Sequence, residues 1–396
     1  MKIFPRIVLW TLLTVTIRGG ACRAQYVRLN PGNGRQALYF DMSRVANYNH
    51  YEHWRWGGGF YWVTPSPTLG PQWQVQAYAA YGIRDRHVKY GFDIAHAHRA
   101  PHWWRPFAGI SDDLVQNSSA VIDNAFSLLQ SEDNVALVAS QFVRQQALRA
   151  GASGRWNRLQ VMTEWRYMRQ RILFDGTRSL YPTLGDTVPD WCHLAEWHCQ
   201  TNLSGLTADL RGGTALETPG WWYLRALLQY ERQYPVSKGH FELFGQAGCA
   251  VAGSETRTTA LHRTLECFDM GGTYNSHYCF RNSLLTLPPE CFMADRFARA
   301  NVRYQLPVVG WTHRMSMPQP FVQATTTMGR HYGGNEWSVV GETAVGVTGL
   351  LLWNHLDLGC AVARQLLNTS TGNITLRPDN RHDRWAFVVC AKMILQ

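Results

Sequence analysis

Beyond its first two dozen residues the chain has no run approaching the eighteen or more apolar residues of a transmembrane helix. That lack excludes a protein held in a membrane by helices. Its 38 lysines and arginines are scattered, with no stripe or block, so nothing in the charge pattern points to nucleic acid. There is no Gly-x-Ser-x-Gly, and no spacing of Ser, His and Asp assembles a hydrolase triad. No linker, low-complexity tract or exact repeat divides the chain, so one domain is expected after the leader. The eight cysteines from Cys192 to Cys390 follow no small disulfide framework.

What is present begins with an export signal. Met1-Lys2-Ile3-Phe4-Pro5-Arg6 is a basic start, Ile7 to Ile17 is a short apolar core, and Ala21 to Gln25 offers small residues for cleavage after Ala24. Gly19-Gly20-Ala21 before Cys22 is a poor lipobox. The formal charge of +10 includes Lys2, Arg6, Arg18 and Arg23, so the mature chain carries +6. Such charge suits anionic lipid at a bacterial surface or the lining of a pore. Seventeen Trp, seventeen Tyr and sixteen Phe exceed what an ordinary core needs and suit interfacial girdles.

The clearest pattern runs from Gln72 to His98. Trp73, Val75, Ala77, Ala79 and Tyr81 alternate with Gln72, Gln74, Gln76, Tyr78 and Ala80. After Gly82 to His87, the residues Val88, Tyr90, Phe92 and Ile94 alternate with Lys89, Gly91 and Asp93. This is a hairpin with one apolar and one polar face. Trp73 and Tyr81 stand about 26 Å apart along a strand, or roughly 20 Å in depth at a tilt of about 40°. That approaches the ~25 Å apolar band of an outer-membrane barrel. The same period recurs at 159–167, 222–231, 241–251, 298–306 and 385–395, and Trp222 and Tyr230 repeat the spacing. Val135 to Ala150 is read as strand. The poorly patterned stretches Arg171 to Asp190 and Thr256 to Pro289 are expected as long external loops.

The fold expected is an all-β transmembrane antiparallel barrel of about 12–16 strands. It divides into a signal peptide (1–24), a short N-terminal segment (25–52) and the barrel (53–396). A soluble sandwich or propeller also alternates, but its inward faces hold bulky Leu, Ile and Phe. Here the apolar faces carry many Ala and Gly, and the opposite faces carry Gln, Arg, Glu and Tyr, as a wet lumen does.

Particular motifs add a resemblance. Ala79 to Gly91 (with Tyr81, Gly82, Asp85, Lys89 and Tyr90) and Ser111 to Gln116 (with Asp113) resemble the first hairpins of a large Bacteroidetes outer-membrane family of uncharacterised function. Phe292 to Phe297, with Asp295 and Arg296, is similar to that family's motif before a late strand. Glu342 to Val347, with Gly346, is similar to a strand shared loosely with BamA-like surface-antigen barrels. The resemblance covers about Trp54 to the end and implies an outer-membrane barrel. Two features depart from it. Residues 25–53 are too few for the family's usual carboxypeptidase-regulatory-like domain or for POTRA repeats, and the last residue is Gln396 instead of an aromatic.

Candidate chemistry is sparse. Cys192 to Cys199 holds two Cys and two His, but a strand splits them between faces, so a loop with Cys192 and Cys199 paired is preferred to a metal site. His96 and His98 share a strand face and are read as rim residues, and Asp112 and Asp113 as a capped or solvated strand end. Glu164, Arg166, Arg225, Arg299 and Arg303 are expected to face the lumen as a charge network. The Asn-x-Ser/Thr sites at Asn117, Asn202, Asn368 and Asn373 are read as chance. The sequence therefore predicts a non-enzymatic outer-membrane channel, translocation or scaffold component, without cofactor or metal. Its expected partners are outer-membrane lipid, lipopolysaccharide and the barrel-assembly machinery, with no nucleic acid. Two alternatives stay open: a barrel enzyme acting on lipid or lipopolysaccharide, and a soluble secreted glycan-binding β protein.

Overall fold

The computed structural model describes residues 26–29, 37–41, 44–49, 51–64, 71–98, 102–116, 142–173, 191–236, 238–253, 264–270, 284–287, 292–307, 318–352, 356–369 and 385–393. The leader, with Cys22, lies outside them, as do 135–141 and 174–190. The strands are β1 (Tyr26–Arg28), β2 (Ala37–Asp41), β3 (Ala46–Asn49), β4 (His53–Val63), β5 (Pro71–Gly82), β6 (Val88–His98) and β7 (His102–Gln116). Then come β8 (Phe142–Trp156), β9 (Leu159–Leu173), β10 (Cys192–Leu203), β11 (Leu206–Ala215), β12 (Trp222–Val236) and β13 (Gly239–Gly253). The last are β14 (Phe268–Asp269), β15 (Met293–Gln305), β16 (Gln319–His331), β17 (Trp337–Leu352), β18 (Leu356–Asn368) and β19 (Trp385–Met393).

All pairings are antiparallel, and each long strand pairs with the next along the chain. β2 and β3 form two halves of one stave against β4, from Ala37↔Val63 to Asn49↔His53. Counting that stave once and leaving out the two-residue β14 gives seventeen staves, or sixteen without the three-residue β1. Residues 26–49, in the expected N-terminal segment, thus add staves to the same sheet. Among the described residues no pairing joins β19 to β1 or β2.

The sheet is inside out compared with a soluble protein. Along β15, Arg299, Asn301, Arg303 and Gln305 are buried, while Ala298, Ala300 and Val302 between them are exposed. Trp73, Tyr81, Trp104, Trp165, Trp222, Val345 and Phe387 are all more than 40% exposed on the outer face. A water-soluble monomer rarely shows more than a few hundred Å² of contiguous apolar surface. Such an apolar belt along the long strands requires an apolar solvent.

The two rims differ. One carries 64–70, 99–101, 157–158, 204–205, 237–238, 306–318 and 353–355, and the other carries the short turns 83–87, 216–221 and 332–336 together with the four longest connections, 117–141, 174–191, 254–292 and 369–384. The described parts of 254–292, expected as an external loop, instead fold inward. Leu265 packs among Val143, Met168, Leu194, Trp221 and Tyr223 of the β8–β12 wall. Leu285 packs with Phe321, Ala344, Ala361 and Ala363 of the β16–β18 wall. One segment therefore touches distant parts of the inner face, and the sheet curls around it as a barrel. The expected Cys192–Cys199 loop is also corrected: β10 runs straight through both residues, and no disulfide joins them.

Candidate functional site: the inner wall and its inserted segment

The first inner cluster lies at the start of the barrel. Lys89, 1% exposed, is ion-paired to both Asp85 and Glu52. Arg55 donates its Nε hydrogen to Glu52 Oε2 at 3.0 Å and reaches Asp113 with its other end. Asp113 also accepts from the Tyr78 hydroxyl and from the Leu114 amide, each at 2.7 Å. Gly82 makes room for this cluster. A Cβ there would stand 2.2 Å from Asp85 Oδ1, 2.8 Å from Lys89 Nζ and 2.9 Å from Glu52 Oε1. Tyr51, in the turn between β3 and β4, has its hydroxyl pKa raised by burial and by the nearby Asp85.

A second cluster covers β9 to β12. His198, 2% exposed, has Nδ1 2.9 Å from Glu164 Oε1 and Nε2 2.8 Å from Asp209 Oδ2. With a carboxylate at each ring nitrogen, the imidazole has no free nitrogen to serve a nucleophile. Arg166 pairs with Glu164 and lies 3.6 Å from Glu196. Arg211 donates to Asp209 at 3.0 Å, and the Tyr223 hydroxyl donates to Glu196. Arg166, Glu196, Arg211 and Tyr223, with Gln145, Arg225 and Leu265, line a polar cavity of about 20 Å³, room for roughly one water. Among the described residues no three His, Cys, Asp or Glu side chains converge as metal ligands. The cluster's evident capacity is to hold the wall's shape and field.

The inserted segment is tied to the wall by polar contacts. Glu342 of β17 accepts hydrogen bonds from the Leu285 amide at 2.8 Å, the Thr286 amide at 3.0 Å and the Thr286 hydroxyl at 2.7 Å. Arg299 of β15 donates to the Met270 carbonyl at 2.8 Å. Glu266 accepts from Trp221 Nε1 at 2.9 Å and from the Tyr332 hydroxyl at 2.5 Å. The Arg225 guanidinium lies over the Phe268 ring at 4.3 Å. Phe268, Met270, Leu284 and Leu287 then join Phe292, Phe297 and Val340 in one apolar cluster. Burial here raises the Cys267 thiol pKa well above its ordinary value, against the lowering pull of Arg225.

Glu164, Arg166, Arg225, Arg299 and Arg303 all take inward positions on their strands, Arg303 over the Phe321 ring at 3.9 Å. They do not form one network: Glu164 and Arg166 belong to the His198 cluster, and Arg225 and Arg299 meet the inserted segment. Of the motif positions, Gly82, Asp85, Lys89 and Asp113 meet in the first cluster, while Tyr81 and Tyr90 point outward. Asp295 pairs with Arg330, and Arg296 is exposed beside a register shift. Gly346 lets the Phe321 ring approach, since a Cβ would stand 2.5 Å from it. His96 lies edge-on to Trp73 at 4.7 Å, and Asp112 is bidentate with Arg144 at 3.0 and 2.8 Å. The sequence reading missed Glu52, Arg55, Asp209 and Glu196, and it weighed His198 only as a metal ligand and Glu342 only as part of a motif. Strand alternation marks all but the turn residue Glu52 as sharing a polar face, but their partners depend on register.

The chain is similar in fold to solved outer-membrane barrels. BamA from Haemophilus ducreyi lacking POTRA domains 1–3 is 8% identical, with a TM-score of 0.49, over 93% of this chain and 76% of that one. CdiB from Acinetobacter baumannii is 8% identical, with a TM-score of 0.43, over 91% of this chain. Wzi, an Escherichia coli outer-membrane protein involved in group 1 capsule assembly, is 8% identical, with a TM-score of 0.33, over 94% and 83% of the two chains. The chain spans 60% of the length of the CdiB chain. No family model and no curated protein matches the sequence.

Proposed function

We propose that this chain is an outer-membrane β-barrel of a Gram-negative bacterium, exported by its first 24 residues, that works as a closed channel or translocation barrel without chemistry of its own. The observation that carries this is the inserted segment, anchored on the β8–β12 wall by Leu265 and on the β15–β17 wall by Arg299 and Glu342. A lumen entered by its own chain fits a gate better than a permanent pore. The rim with the four longest connections then faces outside the cell and the other rim faces the periplasm. The Gly82–Lys89 turn and the order of the later motifs support membership of the Bacteroidetes family. Lipopolysaccharide and the barrel-assembly machinery are the partners this reading implies.

Fractionation tests the location: a heat-modifiable band in the outer membrane is expected, and a detergent-free periplasmic monomer would overturn it. Planar-bilayer recording tests the gate. Mostly closed channels are expected, and a steady open pore from the wild-type protein would refute it.

A further inference from the structure

Near the rim that carries 99–101 and 157–158, the inner wall holds a cation that no acid answers. Arg105 of β7 takes an inward position, is 7% exposed, and its Nε–H is buried without an acceptor. Among the described residues it has no hydrogen bond or ion pair, and the ionisable groups that act on it are Tyr61 and a second cation, Arg149. The register sets Arg105 directly opposite Ser153 of β8, whose hydroxyl is also buried without a partner. Directly opposed side chains on one face stand about 5 Å apart at their Cβ atoms.

The surrounding chain has no acid to spare. β4, β5 and β8 contain no Asp or Glu. On β6, β7 and β9 every acid is engaged: Asp93 by Arg149 at 3.0 Å, Asp112 by Arg144, Asp113 by Arg55, and Glu164 by Arg166 and His198. The connections supply none either. At this rim, 29–36, 64–70, 99–101, 157–158, 204–205, 237–238, 306–318 and 353–355 contain no Asp or Glu, and they bring Arg35, Arg99, Arg158, Lys238 and Arg314. Every connection of the opposite rim carries at least one acid. A guanidinium withdrawn from water is costly unless it is paired. A guanidinium fork with a hydroxyl beside it is a donor set for an oxyanion, the fork meeting two oxygens and the hydroxyl a third.

We propose that Arg105 and Ser153 form a binding site for the oxyanion of a small solute, a phosphate or a carboxylate, that enters the lumen from this mouth. The acid-free rim draws such a solute in, and Arg105 supplies the paired contact. The site rests on the barrel's inner face alone. It stands whichever way the barrel is oriented and whether or not the inserted segment gates.

The test uses the full mature chain folded in detergent, with inorganic phosphate and acetate as probes against chloride at equal ionic strength. Equilibrium dialysis should show one saturable site per wild-type chain. Saturation by phosphate alone assigns a phosphorylated solute, and saturation by acetate alone assigns a carboxylate. Arg105→Gln should weaken binding at least roughly tenfold, and Ser153→Ala by roughly fivefold. Arg158→Gln/Lys238→Gln, which removes two cations from the same rim, should leave it unchanged. Binding that survives Arg105→Gln and is lost with the rim pair would mean diffuse attraction and overturn the site. Urea titration gives a second reading: the probe that binds should raise the wild-type midpoint more than that of Arg105→Met, because any general salt effect on burial is common to both. Wild-type protein that binds neither probe overturns the site without any variant having to fold. A heat-modifiable outer-membrane barrel with no saturable binding refutes the site alone. A detergent-free soluble protein that binds phosphate keeps the site and refutes the outer-membrane reading.

Discussion

Glu342→Ala removes the acceptor that holds the inserted segment to β17. Three donors then lose their partner: the Leu285 and Thr286 amides and the Thr286 hydroxyl. Each buried donor left unsatisfied costs about 1–3 kcal/mol, and donors sharing one carboxyl do not add fully. A loss of about 3 kcal/mol of docking is the reasonable sum, a shift of roughly 100-fold toward the released segment. Leu285 still sits among Phe321, Ala344, Ala361 and Ala363, which retains part of the hold. Burying a leucine contributes about 1.5–3 kcal/mol. The double variant Glu342→Ala/Leu285→Ala should therefore open further than either single change. Glu342→Gln keeps one acceptor oxygen and should open less than Glu342→Ala.

The assay is open probability in planar bilayers, with maleimide labelling of Cys267 as a second readout, the other cysteines having been replaced by serine. Cys267 is 1% exposed, so it reports release of the segment directly. Glu342→Ala should raise both open probability and labelling rate by similar factors. A Glu342→Ala barrel that folds, conducts like the wild type and leaves Cys267 protected would refute the reasoning.

Gly82→Ala places a methyl within 3 Å of Asp85, Lys89 and Glu52 and should cost about 1–3 kcal/mol, read as a lower urea midpoint for the folded band. Arg55→Met removes one of two cations facing each of Asp113 and Glu52, which keep Arg44 and Lys89, so it should cost about 1–3 kcal/mol, while Arg55→Met/Asp113→Leu should recover part of the loss. The pH dependence of Cys267 follows from its raised pKa: its stabilising contribution is full below the unfolded thiol's 9.0 and falls as pH rises above that. Cys267→Ser should therefore flatten the alkaline loss of stability in urea titrations, and an unchanged slope would count against a buried neutral thiol.

Strand alternation is local information, and it carried the outer face well. Trp73, Tyr81 and Trp222 are outward in the structure, and Arg299 and Arg303 are inward, because parity along a strand needs only the chain itself. Partners are a different matter. Arg55 and Asp113 are 58 residues apart, and His198 and Glu164 are 34 apart. Such pairs depend on register across several staves, which no single strand encodes. The inserted segment was illegible for another reason. Leu265, Phe268, Leu284, Leu285 and Leu287 follow neither a period of two nor of 3.6, so their hydrophobicity reads as an unpatterned loop. The Cys192–Cys199 stretch misled because composition outweighed its regular alternation, which β10 obeys residue by residue.

The two halves of the inner wall depend on the inserted segment differently, and this limits what gating can do. Around β4–β7 and β9–β11 the charges answer one another across neighbouring staves: Lys89 with Asp85 and Glu52, Arg55 with Asp113, His198 with Glu164 and Asp209. Those contacts survive whether or not the segment is docked. On the β15–β17 side, Arg299 donates to the segment's Met270 carbonyl as well as to Thr327, and Glu342 accepts from the segment's Leu285 and Thr286. Release of the segment would leave the first half intact and present Arg299 and Glu342 to water in the lumen. Ion selectivity should then follow those two residues in the open state only. Arg299→Gln should shift the reversal potential of open channels toward cations, and Lys89→Gln should leave it unchanged, because Lys89 stays enclosed by its two carboxylates.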